Sequence, residues 1–258
     1  FCIRPMSTRL LFTCAYDGTP YRGWQSQAGG GTVQDTIEAA AADLLREPLR
    51  IAAAGRTDAG VHAEAQCFHA DIPDTCRMSP QNWQAALNAH LPASIRITDV
   101  RPVEPDFHAR FQARGKIYEY LICCAPVQSP FLYNRSWHVP HPFNAEALKA
   151  ALGLYIGEHD FRRFAANRGN EPADPPPDFY LRTVYSAEVH REGALLRLRF
   201  CGNGFMYRMV RMLTGTAQRV ASGRMSPGEL QSMLTCPTGP KTRFCAPACG
   251  LYLHRVLY

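Results

Sequence analysis

The sequence predicts an α+β fold built from two ferredoxin-like halves, each with the element order β-α-β-β-α-β. Apolar residues alternate between a period of two, typical of strands, and a period near 3.6, typical of helices. The same order of elements occurs twice along the chain, although no sequence repeat accompanies it. A length of 258 residues allows one large domain or two smaller ones. We expect five extra residues at 1–5, an N-terminal half at 6–110 and a C-terminal half at 111–258.

The first half begins with an apolar strand at 8–16, followed by a helix at 32–46. Thr32 stands three residues before Asp35, the spacing of a capped helix start. A Ser79-Pro80 pair predicts the start of a second helix. Further strands are predicted at 50–54, 65–72 and 95–100.

The second half repeats this order with longer connections. Strands are predicted at 114–124, 181–189, 194–200 and 250–258. Helices are predicted to begin after Asn144, at Met206 and after Ser226, where Pro227 and Glu229 complete a helix-start pattern. The proline-rich segment 168–179 is expected to be an exposed loop.

Composition narrows the class of protein. The chain has 46% hydrophobic and 19% charged residues, as expected of a soluble folded protein rather than a disordered one. Its net charge of +6 is compatible with a polyanionic partner. Ten cysteines are too few for a disulfide scaffold, which favours a reducing cytoplasm. No apolar run approaches the roughly 20 residues of a membrane-spanning helix, so we expect no membrane association.

The turn-rich segment 55-GRTDAG-60 is the strongest candidate for a functional loop. Small residues around Arg56 and Asp58 would let a ligand approach the backbone closely. A glycine-rich turn with an aspartate is also the ordinary composition of an Asx-turn. A carboxylate beside a guanidinium stays ionised, which suits a nucleophile or a base.

Two further elements carry residues that could bind RNA. In the strand 116–120, Tyr118 and Tyr120 share one face with Lys116, and aromatic side chains on a sheet can stack on bases. Arg211 lies off the apolar stripe of the helix predicted from Met206. Taken alone, a pair of tyrosines in a strand is more often core or surface packing, and an arginine off the apolar stripe is more often an exposed residue of the helix.

Seven blocks occur in order along the chain: 16-YDGTPYRGWQSQ-27, 54-AGRTDAGVHA-63, 106-DFHARF-111, 118-YEY-120, 159-HDF-161, 202-GNGFMYRMVR-211 and 247-PACGLYLHRVLY-258. Together they resemble the tRNA pseudouridine synthase A family. The resemblance implies an isomerase that converts uridine to pseudouridine in the anticodon stem-loop of tRNA, at positions 38, 39 and 40. It also implies a homodimer that uses one aspartate and neither a metal nor an organic cofactor. The halves would share one continuous mixed, mainly antiparallel sheet, with helices on one face and a cleft between the halves.

The resemblance assigns roles to individual residues of this chain. Asp58 resembles the catalytic aspartate, Arg211 the arginine that pairs with it, and Tyr118 the tyrosine that stacks on the base. Arg56 resembles the residue that fills the space left by a flipped nucleotide. Supporting roles in the site or the RNA groove are implied for Tyr16, Trp24, Gln25 and His62. The chain departs from the usual pattern at 171–177 and before Met6.

Two other classes of protein remain as alternatives. His62 and Glu64 fit the His-x-Glu of zinc base deaminases, with Cys245 and Cys249 as further ligands, although the spacing of these cysteines differs from that signature. A non-catalytic RNA-binding module would account for the charge and the aromatic residues. It leaves the loop with Arg56 and Asp58 without a purpose.

Overall fold

The computed structural model describes residues 7–141, 144–169, 171–172 and 174–258. The extra segment predicted at 1–5 lies outside these residues, and so do two positions of the proline-rich loop, 170 and 173. The strands are β1 (Ser7–Tyr16), β2 (Ala52–Ala53), β3 (His62–Pro73), β4 (Ile95–Pro102), β5 (Gly115–Cys123), β6 (Trp137–His138), β7 (Gly157–Asp160), β8 (Leu181–Glu192), β9 (Leu195–Gly202) and β10 (Leu251–Leu257). The helices are α1 (Val33–Leu45), α2 (Pro80–His90), α3 (Ala145–Gly153), α4 (Met209–Ala221) and α5 (Pro227–Thr235). The predicted α+β class is confirmed.

The chain forms two compact units. The first contains the described residues up to Arg114 together with Tyr252–Tyr258, and the second contains Gly115–Leu251. The predicted boundary at 110 lies four residues before the end of the first segment, and the predicted C-terminal half included the last strand. That strand groups with the first unit because Tyr252 pairs with His62 in a parallel ladder.

The sheet of the first unit has the strand order β4-β1-β3-β10, with β2 paired to the β3 strand as well. β1 is antiparallel to both β3 and β4, which is the ferredoxin-like arrangement predicted for this half. Both helix starts are capped as predicted: the Thr32 hydroxyl accepts from Asp35 N at 3.1 Å, and the Ser79 hydroxyl accepts from Asn82 N at 3.2 Å. The predicted strand at 50–54 shortens to two residues, and the next strand begins three residues earlier than predicted.

Aromatic side chains form the centre of the first unit. The rings of Phe12 and Phe68 stack at 4.9 Å, and Trp83 of α2 meets Phe12 edge-on at 6.1 Å. All three are fully buried, and burial of each large apolar side chain stabilises the fold by about 1.5 to 3 kcal/mol. Trp24 extends this cluster, since its ring lies 5.9 Å from that of Phe68.

The second unit has an antiparallel sheet in the order β5-β9-β8-β7, and β6 runs parallel beside β5. Burial alternates along β9: Leu196, Leu198 and Phe200 are buried, whereas Arg197 and Arg199 are half-buried. This alternation shows that one face of the sheet is covered. Two strands of this unit, β6 and β7, are too short for their periodicity to be recognised in the sequence.

Helix α4 begins later than predicted. The apolar pattern predicted a start at Met206, whereas the first helical residue is Met209. Arg208 has a left-handed backbone (φ 58°, ψ 8°), which a continuous right-handed helix does not allow. The start of α5 agrees with the prediction, because Ser226 and Glu229 form a reciprocal capping box.

Within the described ranges, none of the helices has the length and apolar character needed to cross a bilayer.

We expect His69 of β3 to make stability depend on pH. Burial, reinforced by the nearby His108, lowers the pKa of His69 from 6.5 to about 4, and its Nδ1 accepts a hydrogen bond from Ala109 N at 3.1 Å. The unfolded chain therefore binds an extra proton between these two pH values. Stability should fall as the pH decreases from 6.5 to 4, by up to about 1.4 kcal/mol per pH unit.

Urea unfolding at a series of pH values measures this slope, and His69→Gln should reduce it. His90→Gln serves as the control, since His90 lies exposed at the end of α2. A slope that His69→Gln leaves unchanged would show that another group causes the dependence.

Candidate active site

Asp58 lies in the loop 54–61, which connects β2 to β3 in the first unit. Both ends of the loop are attached to the sheet. Ala54 N donates to Cys67 O at 2.8 Å, and the Gln66 side-chain amide donates to Gly55 O at 2.7 Å. The loop closes on itself, because Val61 N donates to Asp58 O at 3.1 Å.

The residue before Asp58 is the main anchor of the loop. Thr57 is buried, and its hydroxyl lies 2.8 Å from the hydroxyl of Tyr16. Its carbonyl accepts a hydrogen bond from Trp24 N at 3.1 Å. Each of these bonds contributes about 0.5 to 1.5 kcal/mol, and leaving a buried partner unsatisfied costs more.

The anchored Thr57 determines how its neighbours are presented. Asp58 is half-buried and Arg56 is exposed. The hydrogen bonds of Thr57 hold the backbone between them in place. A fixed backbone reduces the rearrangement that is needed to aim the Asp58 carboxylate, which suits a catalytic group.

Two glycines let a second segment approach the loop. A Cβ at Gly18 would lie 2.0 Å from Val61 O, and a Cβ at Gly23 would lie 2.7 Å from Thr57 O. Gly23 also has a φ of +92°, which other residues rarely adopt. The segment 16–24 therefore forms one wall of the loop, at a distance that only glycine permits.

His62 and Gln25 lie close to this wall. The ring of His62 is buried against Tyr252, with 4.6 Å between ring centroids, and its Nδ1 accepts from Gly18 N at 3.1 Å. The Gln25 amide donates to Gln34 Oε1 at 2.8 Å. Trp24 is fully buried. His62 and Trp24 thus support the loop and its wall, whereas Gln25 contacts α1. Direct contact of these residues with RNA stays a prediction.

Tyr118 lies in β5 of the second unit. Its ring is buried and meets Phe205 edge-on at 5.3 Å. Tyr120 shares the same face of the strand but belongs to the core: its hydroxyl donates to Pro247 O at 2.8 Å, and burial raises the pKa of Tyr120. Tyr118 is therefore the better candidate of the two for contact with a ligand.

Arg211 projects from the first turn of α4, where it is half-buried. Its Nε donates to Ala246 O at 2.8 Å, and Ala246 N donates to Arg211 O at 3.0 Å. The segment that carries Ala246 packs directly against the helix, since a Cβ at Gly215 would lie 2.3 Å from Phe244 O. The direction of the guanidinium is thus set by backbone contacts.

The predicted site residues are divided between the two units. The first unit holds Asp58 with Arg56 and the wall residues Tyr16, Trp24, Gln25 and His62, and the second holds Tyr118 and Arg211. The pairing of Asp58 with Arg211 joins residues of different units and stays a prediction.

Three contributors were not identified from the sequence. Two of them could have been recognised, because they lie inside the motifs that carry the resemblance. Gly23 stands directly before Trp24, and Phe205 stands between Gly204 and Met206. Ala246 contributes a backbone carbonyl to Arg211, which no side-chain pattern reveals.

Comparison with known proteins identifies the chain's relatives. A family model described as tRNA pseudouridine synthase matches residues 13–112 and 151–258. The tRNA pseudouridine synthase A of Akkermansia muciniphila is 48% identical over 252 residues, which cover 97% of this chain and 95% of that protein. Proteins of the same name from Neisseria gonorrhoeae and a Geobacillus species are 40% and 39% identical, over 97% and 98% of this chain and 92% and 99% of theirs.

These matches define the class as an isomerase that acts on tRNA. More particularly, the chain belongs to the tRNA pseudouridine synthase family. This assignment favours the predicted isomerase over both alternatives, the zinc deaminase and the non-catalytic RNA-binding module.

We expect Gly23→Ala to destabilise the protein in two ways. It strains the backbone at a positive φ, and its methyl group pushes against the Asp58 loop. The matched control is Gly30→Ala, because Gly30 also has a positive φ (+58°) but no atom within 4 Å of an added Cβ. The control should cost about 1 kcal/mol. Gly23→Ala should cost about 2 kcal/mol more and should abolish turnover on tRNA, because the new methyl group displaces Thr57.

Urea unfolding and a pseudouridine assay measure the two effects. Equal stability and equal activity of the two variants would contradict the role assigned to the close approach at Gly23.

Proposed function

We propose that this protein isomerises uridine to pseudouridine in the anticodon stem-loop of tRNA, at positions 38, 39 and 40, with Asp58 as its essential carboxylate. One observation carries the proposal. In this member of the family, the loop that contains Asp58 is anchored to the core through the buried Thr57. The backbone that carries the carboxylate is thereby fixed, while Asp58 itself stays partly accessible. The proposal includes neither a metal nor an organic cofactor.

The reaction rearranges bonds without net gain or loss of atoms. The bond between N1 of uracil and C1′ of ribose breaks, the detached base turns, and C5 joins C1′ while the C5 hydrogen is released to solvent and N1 acquires a proton. Asp58 would assist by attacking C1′, by attacking C6 of the base, or by removing a proton from the sugar. All three routes need an ionised carboxylate next to the nucleoside.

The target uridine must leave the stacked stem before this chemistry, at a cost of a few kcal/mol. Stacking of the base on Tyr118 would offset about 1 to 3 kcal/mol of that cost. The edge-on contact with Phe205 orients the Tyr118 ring in advance. Arg56, which is exposed beside the anchored residue, has the length and charge to occupy the vacated position in the RNA.

Arg211 has a positioning role in this proposal. We assign it the task of keeping Asp58 ionised in the RNA complex, on the strength of the family resemblance. A guanidinium near a carboxylate lowers its pKa and favours the charged form. The hydrogen bond from Arg211 Nε to Ala246 O holds the group in one direction, which suits this task.

A homodimer in the cytoplasm belongs to the same proposal. Besides the resemblance, the second unit offers exposed apolar side chains between β5 and β6, where a partner could bind. These side chains are Val127, Phe131 and Tyr133. Exposed apolar groups that cluster in one segment are typical of interaction surfaces.

Asp58→Asn should retain tRNA affinity and lose turnover, because the amide has nearly the same shape but no negative charge. Release of tritium from tRNA labelled at C5 of uridine measures turnover, and fluorescence anisotropy measures binding. Asp74→Asn is the control, since it makes the same change at an exposed position of the first unit and should behave as the wild type. Product formation by Asp58→Asn would remove Asp58 from the chemistry.

Arg211→Lys should lower kcat at least about a hundredfold while the melting temperature changes little. The lysine ammonium lacks the planar guanidinium, so it cannot donate to Ala246 O as Arg211 Nε does and also bind the Asp58 carboxylate as proposed. Arg224→Lys makes the same exchange at an exposed position beyond the end of α4 and should leave kcat unchanged. A near-normal kcat for Arg211→Lys would exclude the positioning role.

A further inference from the structure

We propose that Arg168, Tyr207 and Arg208 form a phosphate-binding surface for the RNA strand that carries the target uridine. We call these three residues the arginine–tyrosine stack. The inference rests on the proposed function, since it names the part of the tRNA that the second unit holds near Arg211.

The stack is built around one aromatic ring. The central guanidinium carbon of Arg168 lies 4.9 Å from the centroid of the Tyr207 ring, and that of Arg208 lies 5.0 Å from it. The two guanidinium carbons are therefore no more than 9.9 Å apart, the sum of these distances. The segment before Arg168 is tied to the same residue, because Ala166 N donates to Tyr207 O at 3.1 Å.

The two positive charges are available to a ligand. Both arginines are exposed, and the described part of the chain places no carboxylate within ion-pair distance of either guanidinium. The nearby Glu171 is used differently, because its carboxylate accepts hydrogen bonds from the backbone N–H groups of Arg168 and Gly169. Cation–π contact restrains the guanidinium groups but leaves their N–H donors free to bind an anion.

Arg208 occupies a position that is unfavourable for an arginine in two ways. Its φ of 58° places a non-glycine residue in the left-handed region, at a cost of about 1 kcal/mol. It also places a positive charge at the N-terminal end of α4, where the helix dipole is positive. Neither feature helps the helix to form. The placement of the charge becomes favourable when an anion binds there, because the guanidinium and the helix end then attract the same charge. The steric cost of the left-handed backbone remains.

Arg46 shows that the backbone conformation alone does not explain this choice. It has nearly the same left-handed backbone (φ 61°), but it ends α1 rather than beginning a helix. A positive charge at a helix C-terminus interacts favourably with the dipole. The charge of Arg46 thus suits its end of the helix, whereas the charge of Arg208 is unfavourable at its end until an anion binds.

The location of the stack indicates which anion it binds. Arg208 precedes Arg211 by three residues at the start of the same helix, so a phosphate at the stack would lie next to the nucleotide that Arg211 serves. A second cation–aromatic pair is attached to the chain just before Arg168. Lys241 Nζ lies 5.9 Å from the centroid of the Tyr180 ring and donates a hydrogen bond to Ala165 O at 2.7 Å. Arginines interleaved with aromatic side chains are typical of surfaces that follow an RNA backbone.

Arg208→Gly tests the inference without adding backbone strain, because glycine readily adopts the left-handed backbone. The probe is unmodified tRNA that contains the target uridines. Its affinity is measured by fluorescence anisotropy between about 50 and 200 mM salt. Loss of one phosphate contact should reduce the slope of log affinity against log salt by about 0.7 to 0.9. KM should rise about tenfold and kcat should stay within about threefold, while the melting temperature should stay the same or rise.

Two further variants complete the design. Arg46→Gly removes the same charge from the same backbone conformation and should keep the wild-type salt slope and KM. Arg168→Gln should change the slope in the same direction as Arg208→Gly, and it carries the test if the glycine variant is destabilised.

The results separate this inference from the proposed function. The phosphate-binding surface would be excluded if both Arg208→Gly and Arg168→Gln kept the wild-type salt slope. It would also be excluded if Arg46→Gly reduced the slope equally, because that would indicate a general effect of charge. If the wild-type protein forms no pseudouridine, the proposed function fails, whatever the slopes show. If it forms pseudouridine while the variants keep the wild-type slope and KM, only the phosphate-binding surface fails.

Discussion

The attachment of Thr57 to the core is the constraint on which the candidate site depends. The hydroxyl of Tyr16 and the backbone N–H of Trp24 hold this residue, and the rings of both anchoring residues pack in the aromatic cluster that includes Phe68. Because these two residues are packed in the rigid core, their hydrogen bonds restrict the motion of the Asp58 loop. Asp58 gains a fixed backbone without being buried itself.

Much of the fold could be predicted because local physics determines it. The caps at Thr32, Ser79 and Ser226 follow from side-chain hydrogen bonds within one turn, and they are confirmed. The two-residue strand β2 and the late start of α4 could not be predicted. Strand β2 exists only through its pairing with β3. The start of α4 is set by the left-handed backbone of Arg208. The apolar pattern of the sequence reveals neither effect.

The candidate site divides in the same way. The loop with Asp58 is conspicuous because its side chains and glycines carry the signal themselves. The supports are less visible: the Ala246 carbonyl that orients Arg211 belongs to the backbone, and the close approach at Gly23 depends on a segment more than thirty residues away along the chain. Side-chain chemistry can be recognised in a sequence, whereas the geometry that aims it comes from tertiary packing.

The parallel pairing of β10 with β3 affects how the first unit is made. His62 follows the Asp58 loop, and its stacking partner Tyr252 belongs to the last strand; the neighbouring contact between Glu64 and His254 spans 190 residues. During translation the ribosome must therefore synthesise the entire second unit before this ladder can close. Contacts of such long range slow folding, so the edge of β3 that pairs with β10 stays unpaired until then. The Asp58 loop therefore receives this structural support only after the second unit has been synthesised.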